Sequence, residues 1–525
     1  MLWRKVETRI NDWLKEGKEA LLISGARQTG KTFVIEKCLK DSKTDFVSFN
    51  LIKSPEVVDV LNDCIDRNME DFVSRISLLA GRRMVKGRTV VFFDEIQECK
   101  EILTAVKFLV EEGSFRYILS GSLLGVELVG IKSAPVGYLR TLKMYPLDFH
   151  EFLVALNVQP ELIETLRNRF EERKMVDEVV HRKLLETFYI YLVIGGMPAA
   201  VQSFVDGGDF MEVSDIHRMI TEQYNVDFSK YEKEQKLRLI GAYELIPSEL
   251  NSKNKRFILS DLDKNLRFER YEDSFLWFAN AGVAIPVFNT TEPIVPLAIN
   301  KKSNLFKLFL SDIGMLSTMY GNAAKLKLLN NGDDMNCGAM FENAVAQELA
   351  SKGYNLFYYN SKRLGEIDFI IESNGACLPI EVKSGKDYSV HSALDNVLEN
   401  ADFNIPFAYV LSKGNVRVDG KIVYLPVYMS MFIEEHNLPT RVSIPDLSKL
   451  VLELRAPSCL PIQQNRPQGS VCCLTATWAR TKDLLLRRQL LYPTELLPHC
   501  KWIIVNCPHS FKCRGQFSFG LVLSR

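Results

Sequence analysis

Ala20-Leu21-Leu22-Ile23-Ser24-Gly25-Ala26-Arg27-Gln28-Thr29-Gly30-Lys31-Thr32-Phe33 is the stretch that decides the fold. Ala20–Ser24 is a short apolar run, the mark of a strand buried on both faces. Gly25–Thr32 fits G-x-x-x-x-G-K-[ST], and a helical pattern, Phe33–Leu39, follows it. Strand, glycine loop and helix in that order are the context this motif needs. The glycines let the backbone turn so that successive N–H groups point at phosphate oxygens, and the helix N-terminus adds its positive dipole end. Gly25, Ala26, Arg27, Gln28, Thr29, Gly30, Lys31 and Thr32 are therefore candidate nucleotide contacts. Lys31 is placed to reach the β- and γ-phosphates, and the Thr32 hydroxyl to take Mg²⁺.

Further along, Val90-Val91-Phe92-Phe93-Asp94-Glu95 is a second buried strand that ends in two carboxylates. In this order after a phosphate loop, Asp94 is expected to hold Mg²⁺ and Glu95 to polarise an attacking water. Tyr117-Ile118-Leu119-Ser120-Gly121-Ser122 offers a polar strand tip that could sense the γ-phosphate. Ser120 and Ser122 are equal candidates at this stage. Arg140 is a candidate phosphate contact in cis or in trans, and equally a solvated surface arginine. The cofactors implied are ATP and Mg²⁺. Apolar runs at Phe46–Leu51, Val90–Phe93 and Tyr117–Leu119, with helical stretches between them, predict a parallel α/β sheet.

The rest of the chain narrows the class. At 525 residues it is too long for one core. Apolar residues make up 47% and charged residues 25%, as in soluble globular proteins. No apolar run approaches the ~20 residues of a membrane helix, and the start, Met1-Leu2-Trp3-Arg4-Lys5, is charged at once, unlike a secretory leader. The expected location is the cytoplasm, with no membrane partner. Net charge is zero, but residues 451–525 hold ten Lys/Arg against three Asp/Glu and six of the eleven cysteines. The body is thus acidic, and nucleic acid would have to use a local patch. Asn251-Ser252-Lys253-Asn254-Lys255-Arg256 is the candidate phosphate-contacting turn for DNA or RNA.

A second site is legible near residue 370. Asn374-Gly375 between two apolar runs is a strong hairpin signal. A two-residue turn there opposes Ile367 to Val382, Phe369 to Ile380 and Ile371 to Leu378 on one face. On the other face it opposes Asp368 to Glu381 and Glu366 to Lys383. Like charges placed opposite are destabilising, so Asp368 and Glu381 call for a cation. A second Mg²⁺ or Mn²⁺ suits two oxygen donors, with Lys383 on the same face and Glu342 as a further carboxylate. The plainer reading is a surface ladder in which Glu366 and Lys383 form an ion pair and Asp368 faces water. Pro379 suits an edge strand or bulge and could shift the register.

Gly25–Thr32 with Arg27-Gln28, Phe93-Asp94-Glu95-Ile96-Gln97, Ser120-Gly121-Ser122, Tyr145-Pro146-Leu147-Asp148-Phe149-His150-Glu151-Phe152 and Gly195-Gly196-Met197-Pro198 resemble a group of prokaryotic AAA-type ATPases. Ser274–Gly282 and Asp312–Leu316 resemble that group's winged-helix part. Glu366-Ile367-Asp368-Phe369 and Glu381-Val382-Lys383-Ser384-Gly385 resemble its restriction-endonuclease-like end, of the PD-(D/E)xK type. The resemblance implies an α/β fold in four parts. These are a P-loop NTPase core at 1–155, a helical lid at 156–225, a winged-helix-like unit at 226–325 and a restriction-endonuclease-like domain at 335–440; residues 446–525 depart from it, and their charge and cysteine jump marks an unmatched tail expected to be unstructured. It implies ATP hydrolysis with Lys31 and Glu95 in catalytic roles, and a nuclease-type set of Asp368, Glu381 and Lys383. The C-terminal module would then be a nuclease or a silent scaffold under nucleotide control. Oligomeric state is left open.

Overall fold

Five short strands form the first sheet: β1 (Ala20–Ser24), β2 (Phe46–Asn50), β3 (Val90–Asp94), β4 (Arg116–Gly121) and β5 (Leu139–Lys143). Their order is β2-β3-β4-β1-β5, and every pairing is parallel. Val90–Phe93 and Tyr117–Leu119 are buried on both faces, as their unbroken apolar pattern requires. Because β4 lies between β1 and β3, its tip stands between the glycine loop and Asp94. The computed structural model describes residues 2–64, 69–99, 101–122, 137–228, 233–252, 272–330, 337–385 and 387–434. The tail at 446–525, the stretch Leu259–Asn265 and residues 253–256 of the basic turn lie outside them.

Residues 149–228 are helical, as expected. The helix Glu178–Ile194 ends before Gly195-Gly196-Met197, and Pro198–Gly207 begins the next helix with proline at its first turn. The break is pinned from a distance: the Gly196 N–H donates to Asp312 Oδ2 at 2.6 Å.

The second sheet has eight strands in the order β12-β13-β11-β10-β9-β8-β6-β7. They are β6 (Ala284–Thr290), β7 (Lys301–Leu310), β8 (Phe357–Ser361), β9 (Gly365–Ser373), β10 (Ala376–Val382), β11 (Ala408–Ser412), β12 (Arg417–Asp419) and β13 (Ile422–Pro426). Here the expectation of a separate unit at 226–325 needs correcting. The β6–β7 ribbon is not self-contained, because β6 pairs in parallel with β8 through Phe288↔Phe357 and Thr290↔Tyr359. One hydrophobic cluster runs from Leu147 to Ile433, with Phe188 edge-on to Phe341 of the helix Gly338–Ser351. The ribbon therefore shares its sheet and its core with the C-terminal module.

A buried charge network ties the first sheet to that helix. Arg4, only 4% exposed, donates to the Thr29 carbonyl at 3.0 Å and the Tyr145 carbonyl at 2.6 Å, and its Nε lies 3.2 Å from Glu151 Oε2. Asp148 and Glu151 form a capping box on the helix Phe149–Ala155, satisfying its orphan N–H groups. Glu348 accepts from the Phe149 N–H at 3.1 Å and pairs with Lys352 at 3.4 Å. Burial pushes the Glu151 and Glu348 carboxyls up, whereas the Asp148 carboxyl is held down by Lys5 despite its own burial. Removing one member of a buried ion pair strands its partner. Arg4→Met is therefore expected to destabilise the protein by about 3–5 kcal/mol. Thermal and denaturant unfolding of the variant against wild type check this, and an unchanged midpoint would contradict it.

Candidate nucleotide-binding site and a second carboxylate cluster

The glycine loop follows β1 and turns into the helix Lys31–Asp41. Gly25 has φ +154°, and a Cβ there would lie 2.1 Å from the Met144 carbonyl oxygen, so no side chain fits. Gly30 caps the helix in the left-handed region at φ 86°. Gln28 adopts φ 64° and Glu95 φ 59°, a region that non-glycine residues avoid. Two such residues in one site are the kind of strain that functional loops store. Gln28 is held there by a 3.0 Å hydrogen bond from its Nε2 to Gln223 Oε1. Arg27 beside it forms a 2.5 Å ion pair with the buried Asp227. Both partners lie on the helix Phe210–Phe228, so the loop and the helical region are joined at two points.

Lys31 has its Nζ on the loop's own carbonyls, 3.1 Å from Gly25 O and 2.7 Å from Ala26 O. Burial pulls its amine down to about 8, although Glu95 and Asp94 oppose the shift. Thr32 Oγ1 lies 3.1 Å from both carboxylate oxygens of Asp94. Asp94 also accepts from Ser120 Oγ, and from Asn50 Nδ2 at 3.1 Å. The structure thus brings Ser120, not Ser122, to Asp94; the Ser122 Oγ is buried with no hydrogen-bond partner among the described residues. Glu95 Oε2 accepts from Gln97 Nε2. Asn50 and Gln97 were not singled out from sequence. Asn50 could have been, since it ends β2 as Asp94 ends β3. A hydroxyl and a carboxylate this close are a donor set that fits Mg²⁺.

Arg140 does not reach this site in cis. It pairs in register with Leu21, near the start of β1, whereas the loop leaves the strand's other end. Its guanidinium is half-exposed and lies 3.9 Å from Glu19. Beside Gly30, a cavity of about 210 Å³ is lined by Leu2, Arg4, Phe33, Val34, Pro198, Ala199 and Gln202.

The hairpin near residue 370 forms with the expected register, including Leu378↔Ile371 and Ile380↔Phe369. Past Phe369 the expectation fails. Between Phe357 and Tyr359 of β8 the pairing of β9 steps from Ile370 to Ile367, one residue too many, which is a β-bulge. Ile367 consequently joins a different hydrophobic cluster from Phe369, Ile371, Leu378, Ile380 and Val382. The opposition of Glu366 to Lys383 is lost with it. Glu366 Oε1 pairs instead with Lys307 Nζ at 2.8 Å, and Lys383 pairs with Glu381 Oε1 at 2.8 Å.

Lys307 is the residue that sequence reasoning missed. It is fully buried in β7, its Nζ lies 3.9 Å from Asp368 Oδ1, and it stands over the Tyr358 ring at 5.1 Å. Burial alone would lower its amine, but Glu342, Asp368 and Glu366 outweigh that and hold it above the ordinary lysine value. Asp368 Oδ2 accepts the Val382 N–H at 2.9 Å. Burial, then Asp368, push the Glu381 carboxyl up to about 8 against the pull of Lys383. Asp368, Glu381, Lys383 and Glu342 are thus brought together, yet among the described residues no group of three His, Cys, Asp or Glu side chains is arranged to hold a metal ion. The Lys307 ammonium faces Asp368 and Glu366 in that cluster. The signal lay in Leu305-Phe306-Lys307-Leu308-Phe309-Leu310, where a lone lysine in an apolar strand must find buried carboxylates.

A parallel sheet with β4 between β1 and β3, a glycine loop capping a helix, and a lysine and carboxylate facing it make the N-terminal part a P-loop NTPase domain. A family model described as an AAA domain matches residues 17–153. Two models described only as domains of unknown function match residues 185–326 and 337–429. No curated protein matches the sequence. Among solved structures, the Walker-type ATPase PABY2304 of Pyrococcus abyssi matches at 14% identity with a TM-score of 0.38, covering 61% of this chain and 96% of that one. At that score the likeness carries no weight here. Among the described residues, no helix is long and apolar enough to cross a membrane.

The free loop holds Lys31 with a pKa of about 8, and contact with phosphate raises it. Binding therefore takes up a proton above that pH, so nucleotide affinity falls as pH rises through 8. The expected loss approaches tenfold per pH unit. Calorimetric titration of ADP between about pH 7.5 and about pH 9.5 reads it, and a flat profile would refute the assignment.

Proposed function

We propose that the protein is a Mg²⁺-dependent ATPase whose cycle controls its C-terminal module. The observation that carries the reading is the juxtaposition of Lys31, Thr32, Asp94 and Ser120 at the tips of β1, β3 and β4. On binding, Lys31 exchanges the Gly25 and Ala26 carbonyls for β/γ-phosphate oxygens, and the loop N–H groups take the rest of the triphosphate. Thr32 and Asp94 are the residues that would hold Mg²⁺, which neutralises charge on the transferring phosphoryl group when bound. Glu95 orients the attacking water, with Gln97 fixing its carboxylate. The purine base takes the cavity beside Gly30, where Phe33 and Pro198 offer apolar walls and Gln202 an amide.

Arg27 and Gln28 lie between the phosphates and Asp227 and Gln223, so nucleotide entry bears directly on the helix Phe210–Phe228. Gly282, at the head of β6, also sits against the loop, since a Cβ there would lie 3.0 Å from the Ala26 nitrogen. These contacts support nucleotide control of the C-terminal module; in this reading that module is restriction-endonuclease-like and directed at DNA or RNA, in the cytoplasm. Lys307 favours a second reading of that module, a nucleotide-controlled binding switch on a scaffold that does not cleave.

Lys31→Ala is expected to weaken ATP binding at least a hundredfold, and Glu95→Gln to slow turnover about 10²–10⁴-fold while retaining ATP. Equilibrium binding and single-turnover hydrolysis separate the two. Equal ATP affinity in wild type and the Lys31 variant would sink the reading.

A further inference from the structure

The carboxylates around Asp368 already contain a cation. A divalent ion needs several oxygens with free lone pairs converging on one point. Here Asp368 Oδ2 is taken by the Val382 N–H at 2.9 Å, and Oδ1 faces Lys307 Nζ at 3.9 Å. Glu366 Oε1 is taken by Lys307 at 2.8 Å, and its Oε2 accepts from Asn360. Glu381 Oε1 is taken by Lys383 at 2.8 Å, while its buried Oε2 has no hydrogen-bond partner among the described residues; a free oxygen on Glu381 alone does not make the converging set that a divalent ion needs.

Lys307 cannot easily withdraw. It is 0% exposed, its neighbours Phe306 and Leu308 are core residues, and a buried ammonium without carboxylates is strongly unfavourable. It reaches the cluster from β7, a strand that a sequence motif confined to β9 and β10 does not include.

We propose that Lys307 is a resident cation that takes the place of a divalent metal at the Asp368–Glu381 site, so that the C-terminal module binds no catalytic Mg²⁺ or Mn²⁺ and does not hydrolyse phosphodiesters by that route. The proposal deepens the second reading given above and is independent of whether the P-loop domain turns over ATP.

The test is Mn²⁺ binding to the full, nucleotide-free chain, read by electron paramagnetic resonance and calorimetry. The samples are wild type, Asp368→Asn, Lys307→Met and Lys307→Met/Asp368→Asn. Wild type and Asp368→Asn should bind Mn²⁺ identically, because neither holds an ion at this site. Lys307→Met, which removes the ammonium and keeps the chain's bulk, should gain one Mn²⁺ site that the double variant loses. A Mn²⁺ site in wild type that Asp368→Asn abolishes would overturn the proposal, as would a folded Lys307→Met protein with no added site. The comparison of wild type with Asp368→Asn decides the matter even where Lys307→Met does not fold. ATP affinity measured in the same samples reports on the P-loop separately. Its loss in wild type would overturn the ATPase reading and leave this one standing.

Discussion

The contact between Thr32 Oγ1 and the two oxygens of Asp94 is the constraint around which the N-terminal domain is organised. It joins the first turn of the helix that follows β1 to the tip of β3, and it depends on β4 separating β1 from β3 by one strand width and carrying the small residue Ser120 near its end. Parallel pairing brings all the strand tips to one edge. Short apolar strands, buried on both faces, fix that edge firmly enough for a hydroxyl, a carboxylate, an amide and an amine to meet there. Glu95, immediately past the edge, adopts a left-handed backbone and so turns out of the strand direction.

The second organising feature is the depth of charge burial. Arg4, Asp148, Glu151, Glu348 and Lys307 are all nearly or wholly removed from solvent. Each is met by an opposite charge or a backbone group. Such groups contribute little net stability compared with apolar replacements, but any one of them left alone is costly. They specify which surfaces meet: Arg4 and Glu151 fix the N-terminal segment against the glycine loop, and Glu348 fixes the helix Gly338–Ser351 against the one beginning at Phe149.

Much of the first sheet could be read directly, because its information is local. Ala20–Ser24, the glycine loop and Val90–Glu95 each carry their own pattern, and the motif supplies their relation in space. The hairpin at Asn374-Gly375 was equally legible, since a two-residue turn sets register by itself. What could not be read depends on contacts distant in sequence. The bulge in β9 arises from its pairing with β8, not from its own residues. The placement of β6 beside β8 joins segments about seventy residues apart. The electrostatic argument asked for a cation beside Asp368, but it could not show that the ammonium nearest Asp368 and Glu366 comes from another strand, β7. The two readings of Arg140 stayed open for a related reason: its sequence neighbours say nothing about which end of β1 it lies beside.

The parallel pairing of β6 with β8 bears on how the chain can be divided. Residues 337–429 are matched as one domain of unknown function, yet cutting the chain at residue 337 would strip β6 from the flank of β8. A row of unpaired backbone N–H and C=O groups, bordered by Phe357 and Tyr359, would then face water. Naked strand borders of this kind recruit other chains. The same cut would remove Lys307 and leave Glu366 and Asp368 without its counter-charge, so a piece that preserves both would have to begin upstream of β6 at Ala284.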